Sequence, residues 1–277
     1  MSGFWNTSEK VQRKSNFFPK LPQISFMPQK IYFASDFHLG IPDHDSSLIR
    51  EKKLITWLEM ARLDADEIYL MGDLFDFWFE YKTAIPRGYA RLLGKLAEIT
   101  DAGIPIHLFR GNHDMWAFDY LTRELNIQLH RNPEFREFYG KHFYLAHGDG
   151  LGPGDHGYKF IKKVFASPVN QWLFRLLHPD LGIKIALFWS RKSRKVSMVK
   201  ERRDEDITLK LIQQRITVHS HEILDQHPEI SYLIYGHYHY PLDTRLTDNA
   251  RQLVLGDWIT HFTYAVFDGE QLELKTF

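Results

Sequence analysis

The sequence contains no cysteine. Disulfides and thiolate metal ligands are therefore excluded, and the chain suits a reducing compartment such as the cytosol. Any metal it holds must be taken by histidine, aspartate, glutamate or asparagine. No run approaches the roughly 18 to 20 consecutive apolar residues that span a bilayer, and the first thirty residues lack the continuous apolar stretch of a secretion signal. Residues 1–29, with scattered Phe, Trp, Lys and Arg, read as an N-terminal arm. Nor is there an excess of one charge: 35 basic residues face 35 acidic ones, so global charge points to no nucleic-acid partner. No internal repeat or low-complexity tract is visible. What is present is a chain of 277 residues, long enough for one large domain or two small ones, 44% hydrophobic and 25% charged, an ordinary composition for a globular protein.

Against that background one pattern recurs. A short apolar run ends in a glycine or a turn, and a metal-ligating type follows at once. The run from Ile104 to Phe109 leads into Arg110, Gly111, Asn112, His113 and Asp114. Lys30 to Ser35 leads into Asp36 and His38, which an extended backbone would point the same way. Glu67 to Met71 leads into Gly72 and Asp73, then Asp76, which reads as a capping or supporting group more than a ligand. Phe75, Phe77 and Trp78 beside it read as core. His142 to Ala146 leads into His147, Gly148 and Asp149, and Ile230 to Tyr235 leads into Gly236, His237 and His239. Amphipathic segments over 45–64, 87–102 and 117–125 predict helices between the first strands. Further strands are predicted at 138–141 (with a turn), 251–255, 262–268 and 272–277. Strand, polar end, helix, repeated, predicts an α/β architecture with the polar residues gathered along one sheet edge.

Residues 151–203 break the pattern. Twelve Lys or Arg stand here against three acids, Asp155, Asp180 and Glu201. Two apolar stretches accompany them, one with Phe160, Phe165, Trp172 and Leu173, the other with Ile183, Leu187, Phe188 and Trp189. A basic, solvated helical hairpin would fit this pattern. So would a lid that grips an acyl chain and an anionic head, or a membrane surface. A charge-rich helix resumes from 203 to 225.

Asp36, His38, Asp73, Asn112, His147, His237 and His239 make a set of seven oxygen and nitrogen donors. Such donors suit Mn, Fe, Zn or Co, and seven are too many for one ion. One carboxylate bridging two divalent metal ions about 3.5–4 Å apart would use them all in a clamp for phosphoryl transfer. His113 would then donate to a phosphate oxygen or leaving group, with Asp114 orienting it.

The ordered set Asp-x-His, Gly-Asp, Gly-Asn-His-Asp, His-Gly-Asp and Gly-His-x-His resembles the calcineurin-like metallophosphoesterase superfamily. The resemblance implies a four-layer α-β-β-α sandwich over 30–277 with two metals. Asp36, His38, Asp73 and His239 would hold one, and Asp73, Asn112, His147 and His237 the other, Mn2+ first among the candidates. Within the superfamily the chain is similar to the UDP-2,3-diacylglucosamine hydrolases of lipid A biosynthesis, in Asp36 to Leu39, Gly72 to Phe75 and Leu255 to Trp258, and in a helical insertion at about 151–203. That similarity implies a lipid-linked nucleotide sugar as substrate and a peripheral position on the cytoplasmic membrane's inner face. It also implies substrate contacts at Asp155 and Tyr158, and at Ser193 and Lys200. Ser197 stands where those hydrolases usually have Asn. His113 is a departure, because the best-known of these hydrolases have Arg there; His is the residue of the broad superfamily. A nuclease, a nucleotide phosphodiesterase, a phosphoprotein phosphatase or a silent scaffold are the competing expectations.

Overall fold

The structure is a computed structural model that describes residues 29–152, 156–190 and 205–277. The N-terminal arm lies almost wholly outside the described residues. Two sheets face each other. The first, of six strands, runs β11-β10-β1-β2-β3-β4, and the second, of five, runs β5-β6-β7-β9-β8. In chain order the strands are β1 (Lys30–Ala34), β2 (Ala65–Leu70), β3 (Ile106–Phe109), β4 (Gln128–His130), β5 (Glu134–Phe138), β6 (Lys141–Ala146), β7 (Ile230–Tyr235), β8 (Pro241–Arg245), β9 (Arg251–Leu255), β10 (Thr263–Phe267) and β11 (Leu272–Thr276).

Alternation along the strands builds the layers. In β1, Ile31 and Phe33 enter the core between the sheets, while Tyr32 and Ala34 point to the outer helices. β2 divides likewise, with Tyr69 inward and Ile68 and Leu70 outward. In the second sheet Phe143, Leu145, Tyr232 and Ile234 complete the inner core, and Tyr144, Ala146, Leu233 and Tyr235 face out. Three helices, α1 (His44–Ala61), α2 (Ala90–Asp101) and α3 (Tyr120–Leu125), connect the parallel strands β1 to β4. Buried side chains of all three join the outer core of the first sheet. α7 (Glu205–Gln226) covers the second through Ile216 and Leu224. The result is the expected α-β-β-α order.

Two strands had no clear sequence signal. β4 has three residues and β8 opens on Pro241 and carries Asp243 and Arg245; both lie at sheet edges. Edge strands carry charge and proline because one side has no partner, and this removes the apolar run a strand is recognised by. β5 is a full strand ending at Phe138, where the sequence predicts only a strand-and-turn from that residue onward.

Between β6 and β7 stand α4 (His156–Ala166), α5 (Pro168–Arg175) and α6 (residues 179–190). Among the described residues, the insertion packs its apolar side chains on the body through one face. Phe165, Phe174, Ile183 and Leu187 pack on Phe77, Phe79 and Trp116, and Trp116 Nε1 donates to the Phe165 carbonyl at 2.8 Å. Its other faces leave large apolar side chains bare, with Phe160 at 68%, Trp172 at 59%, Phe188 at 64% and Trp189 at 61% exposure.

Candidate metal centre

The seven predicted donors converge where the C-terminal ends of β1, β2, β3, β6 and β7 meet. Asp36, His38, Asp73 and His147 are buried. His38 Nε2 and His239 Nε2 face each other at 3.0 Å. Asp36 Oδ1 lies 3.7 Å from the former and 3.4 Å from the latter. On the other side His147 Nε2 lies 3.4 Å from Asn112 Oδ1. Asp73 stands between the two groups: its Oδ2 is 3.6 Å from His38 Nε2 and 3.5 Å from His147 Nε2. His237 completes the second group, its ligand atom within 4.8 Å of those of Asp73 and His147.

The local backbone is not the extended one expected for Asp36 and His38. Both have left-handed conformations, φ 58° and 43°, as do Asp73 at 52°, His237 at 69° and His239 at 60°. Non-glycine residues adopt this region rarely, at a cost of about 1–3 kcal/mol each, and such strain collects at functional sites. Hydrogen bonds brace it. His237 N–H donates to Asp36 Oδ2 at 2.7 Å, His113 N–H to Asp73 Oδ1 at 2.9 Å, and Trp258 N–H to the Asp36 carbonyl at 3.1 Å. The glycines beside the donors are required by proximity. A Cβ on Gly72 would fall 2.3 Å from His147 Nδ1, and one on Gly111 would fall 2.1 Å from Asp73 Oδ1.

Outer partners fix the rings. His147 Nδ1–H donates to the Met71 carbonyl at 2.8 Å, which aims its Nε2 inward. Asp257 Oδ2 lies 3.9 Å from His239 Nδ1, and its Oδ1 accepts the N–H groups of Thr260 and His261. Asp257 was not singled out from sequence, although its Gly-Asp-Trp setting repeats the glycine-aspartate signal of Asp73. His113 also differs from expectation. Its Nδ1–H donates to the Asp76 carbonyl at 2.8 Å, and the Asp76 carboxylate is 3.6 Å from the same nitrogen and 3.7 Å from His38 Nδ1. The orienting role expected of Asp114 therefore falls to Asp76. Asp114 instead accepts the Gly111 and Leu74 N–H groups, at 2.7 and 2.8 Å, and ties two site loops together.

Electrostatics follow from burial and crowding. Burial pushes the imidazoles of His38 and His237 down to about 4. Burial works the same way on His147, but the carboxylates of Asp73, Asp36 and Asp149 together outweigh it and raise the ring to about 10. Burial also raises the Asp114 carboxyl, with help from Asp73, to about 6. Asp36 Oδ1, fully buried, has no hydrogen-bond donor. A buried anionic oxygen left in this way, with two imidazole nitrogens turned toward it and toward each other, is the arrangement a cation would complete. The donor set fits divalent ions.

Among the substrate contacts expected from resemblance, Tyr158 is described. Its hydroxyl donates to Asp149 Oδ2 at 2.7 Å and its ring lies 6.1 Å from that of His237. Asp155, Ser193 and Lys200, with Ser197, lie outside the described residues. The insertion reaches the centre at its far end as well, where Ser190 Oγ donates to Asp76 Oδ2 at 2.9 Å.

The strand-end donors, the paired sheets and the family model agree. Residues 29–241 match the calcineurin-like phosphoesterase model, and the chain belongs to that family. The family implies divalent metal ions. Among curated relatives, the chain is 40% identical over 258 residues to a UDP-2,3-diacylglucosamine hydrolase from Porphyromonas gingivalis, covering 90% of this chain and 98% of that one. It is 26% identical over 255 residues to a protein of the same name from Vibrio atlanticus, covering 89% and 96%. A solved dimetal phosphatase from Danio rerio aligns over 90% of this chain and 95% of its own, at 12% identity and a TM-score of 0.44.

Proposed function

We propose that this chain hydrolyses the pyrophosphate bond of UDP-2,3-diacylglucosamine to UMP and 2,3-diacylglucosamine 1-phosphate. The observation that carries the reading is the 40% identity, over nearly the whole chain, to a hydrolase of that name. The placement of an apolar, basic insertion against the donor cluster supports it. Asp36, His38, Asp73 and His239 would hold one ion and Asp73, Asn112, His147 and His237 the other, Mn2+ foremost and Fe, Zn or Co as alternatives. Such a pair supplies Lewis acidity to a phosphoryl oxygen and acidifies the attacking water. The chain's own groups do the rest. Asp73, between both sets, keeps them in register. His113, its Nδ1–H held by the Asp76 carbonyl, presents Nε2 to the phosphate and, when protonated, donates there as negative charge builds. The bare apolar side chains of α4 to α6 would take the acyl chains as a lid.

The test is purified protein with Mn2+ and the UDP-diacyl sugar. Absence of UMP release, with cleavage of simple phosphodiesters retained, overturns the substrate assignment. His113 favours a second reading, a phosphoesterase of other specificity, since Arg is the residue of the best-known hydrolases; a strict need for acyl chains on the substrate rejects it. No described helix is long and apolar enough to cross a membrane. Trp172, Phe188 and Trp189, exposed beside Lys and Arg, support peripheral attachment to the inner face of the cytoplasmic membrane. Equal partition with and without anionic vesicles, at low and high salt, refutes that attachment.

A further inference from the structure

β3 and β4 run parallel, with Phe109 paired to His130. The next residue on each strand is an arginine, Arg110 and Arg131. Two guanidinium groups thus leave neighbouring strand ends side by side, a like-charge pairing that destabilises a sheet. No carboxylate among the described residues makes an ion pair with either one. Arg110 is fixed by a hydrogen bond from Nη2 to the Ala117 carbonyl, and its Nε is buried with no acceptor. Two guanidinium groups without an ion-pair partner among the described residues, one of them with an unsatisfied donor, suit an anion.

A cavity of about 210 Å3 opens at this point. It is lined by Arg110, Arg131 and Asn132 on the strand side and by Lys162 and Gln171 from the insertion, with Asp149, whose carboxylate is paired to Lys162 at 2.6 Å, at the side that meets His147 of the metal centre. It therefore lies beside the donor cluster and away from the exposed apolar faces of the insertion. The volume equals about seven waters at roughly 30 Å3 each, too small for acyl chains and suited to a phosphorylated pentose or a flat base. The amides of Asn132 and Gln171 offer donors and acceptors to the edge of such a base.

We infer that this cavity is the subsite for the nucleotide half of the substrate, with Arg110 and Arg131 taking the nucleotide phosphate and the cavity receiving the pentose that carries it. The inference rests on the proposed hydrolase reading and gives it a direction: nucleotide under β3 and β4, lipid under the insertion. It also places two guanidinium groups beside a centre where His113 stands in the position the best-known hydrolases fill with Arg.

The experiment compares wild type, Arg131→Gln and Arg110→Gln, with Arg123→Gln, exposed on the outer side of α3, as the control. Each is loaded with Mn2+, its fold checked by thermal unfolding, titrated with UMP by calorimetry and assayed for UMP release from the UDP-diacyl sugar. Expected are at least tenfold weaker UMP binding and at least tenfold higher KM in both site variants, a smaller change in kcat, and no change in the control. Arg131 is exposed, so its variant reports even if Arg110→Gln unfolds. Wild-type turnover with UMP affinity and KM within twofold of wild type in Arg131→Gln overturns the inference and leaves the hydrolase reading standing. A wild type that binds UMP through both arginines yet does not cleave the UDP-diacyl sugar keeps the nucleotide subsite and removes that reading. A wild type that does not bind UMP overturns the subsite.

Discussion

Replacing Gly111 with alanine puts one methyl group against Asp73. The new Cβ would lie 2.1 Å from Asp73 Oδ1, 2.6 Å from its backbone nitrogen and 2.7 Å from its Cγ. The backbone at Gly111 lies outside the left-handed region, so alanine meets no conformational penalty there and the whole effect is steric. Rotation of the Asp73 side chain cannot relieve it, because the backbone nitrogen is also in the way. The β2 and β3 loops must part by about 1 Å to restore ordinary contact distances. That shift weakens the 2.9 Å bond from His113 N–H to Asp73 Oδ1 and carries the shared carboxylate off its place between His38 and His147. A misplacement of about 1 Å costs about 100-fold in rate, or about 2.7 kcal/mol of barrier. The expected outcome for Gly111→Ala is kcat/KM reduced at least 100-fold and metal content below two ions per chain. Stability should fall by only about 1–3 kcal/mol, the usual cost of overpacking. Gly94→Ala is the control: Gly94 is exposed in mid-α2 with no atom within 4 Å of its added Cβ. It should gain about 0.5–1 kcal/mol and keep full activity. Metal analysis, denaturant unfolding and turnover decide the matter. A Gly111→Ala protein with two ions and wild-type turnover refutes the role given to Asp73.

Asp76→Asn should lower turnover about 10–100-fold with little change in KM, because Asp76 positions His38 and His113 without standing among the seven donors; wild-type kcat would return His113 to independence. Glu80→Ala should cost about 2–4 kcal/mol of stability in urea unfolding with metal content intact. Its buried carboxylate accepts the N–H groups of Phe118, Asp119 and Tyr120 and the Trp78 indole, and all four lose their partner. Chelation should abolish activity and lower the unfolding midpoint. An ion present at 100 times its Kd stabilises by about 2.7 kcal/mol, and identical melting with and without chelator would contradict the metal assignment. His219, which touches the Tyr144 hydroxyl, has its pKa lowered from 6.5 chiefly by burial. A depressed histidine leaves the unfolded chain binding more protons below 6.5, so stability falls as pH drops below that value. The stability gap between wild type and His219→Gln should therefore narrow from pH 7.5 to pH 5.5, and a widening gap would reverse the sign assigned to this residue.

Much of the sandwich was legible because most central strands obey a period of two. Ile31 and Phe33, Tyr69 and Met71, Phe143 and Leu145 fill the inner core, and their neighbours fill the outer ones. β4 and β8 were not, since edge strands carry the charges and proline that erase this period. The donors were legible as residue types at strand ends. Their backbone was not: extended geometry was the natural reading for Asp36 and His38, and positive φ leaves no mark on a side-chain pattern unless glycine bears it. Asp76 was visible and ambiguous, because an aspartate in a turn caps helices far more often than it orients a histidine. The exchange between Asp114 and Asp76 could not be read from order alone, since sequence adjacency to His113 favoured the wrong carboxylate.

Three departures from local preference meet in one region: five donor residues in left-handed backbone, a buried aspartate oxygen with no donor, and two arginines at adjacent strand ends. Each alone would be selected against in a chain that had only to fold. Each is also relieved by a different part of one ligand set. Cations would answer the aspartate oxygen and justify the backbone that aims the imidazoles; a phosphate would answer the arginines. Neither arginine forms an ion pair with Asp36 or Asp73: the guanidinium groups line the cavity, and the two carboxylates lie in the metal centre that adjoins it. A chain seeking stability alone would have joined them in ion pairs. That they are kept apart argues that both await ligands, and that the two ligands must sit side by side, as metal ions and a nucleotide phosphate do in a phosphoanhydride hydrolase.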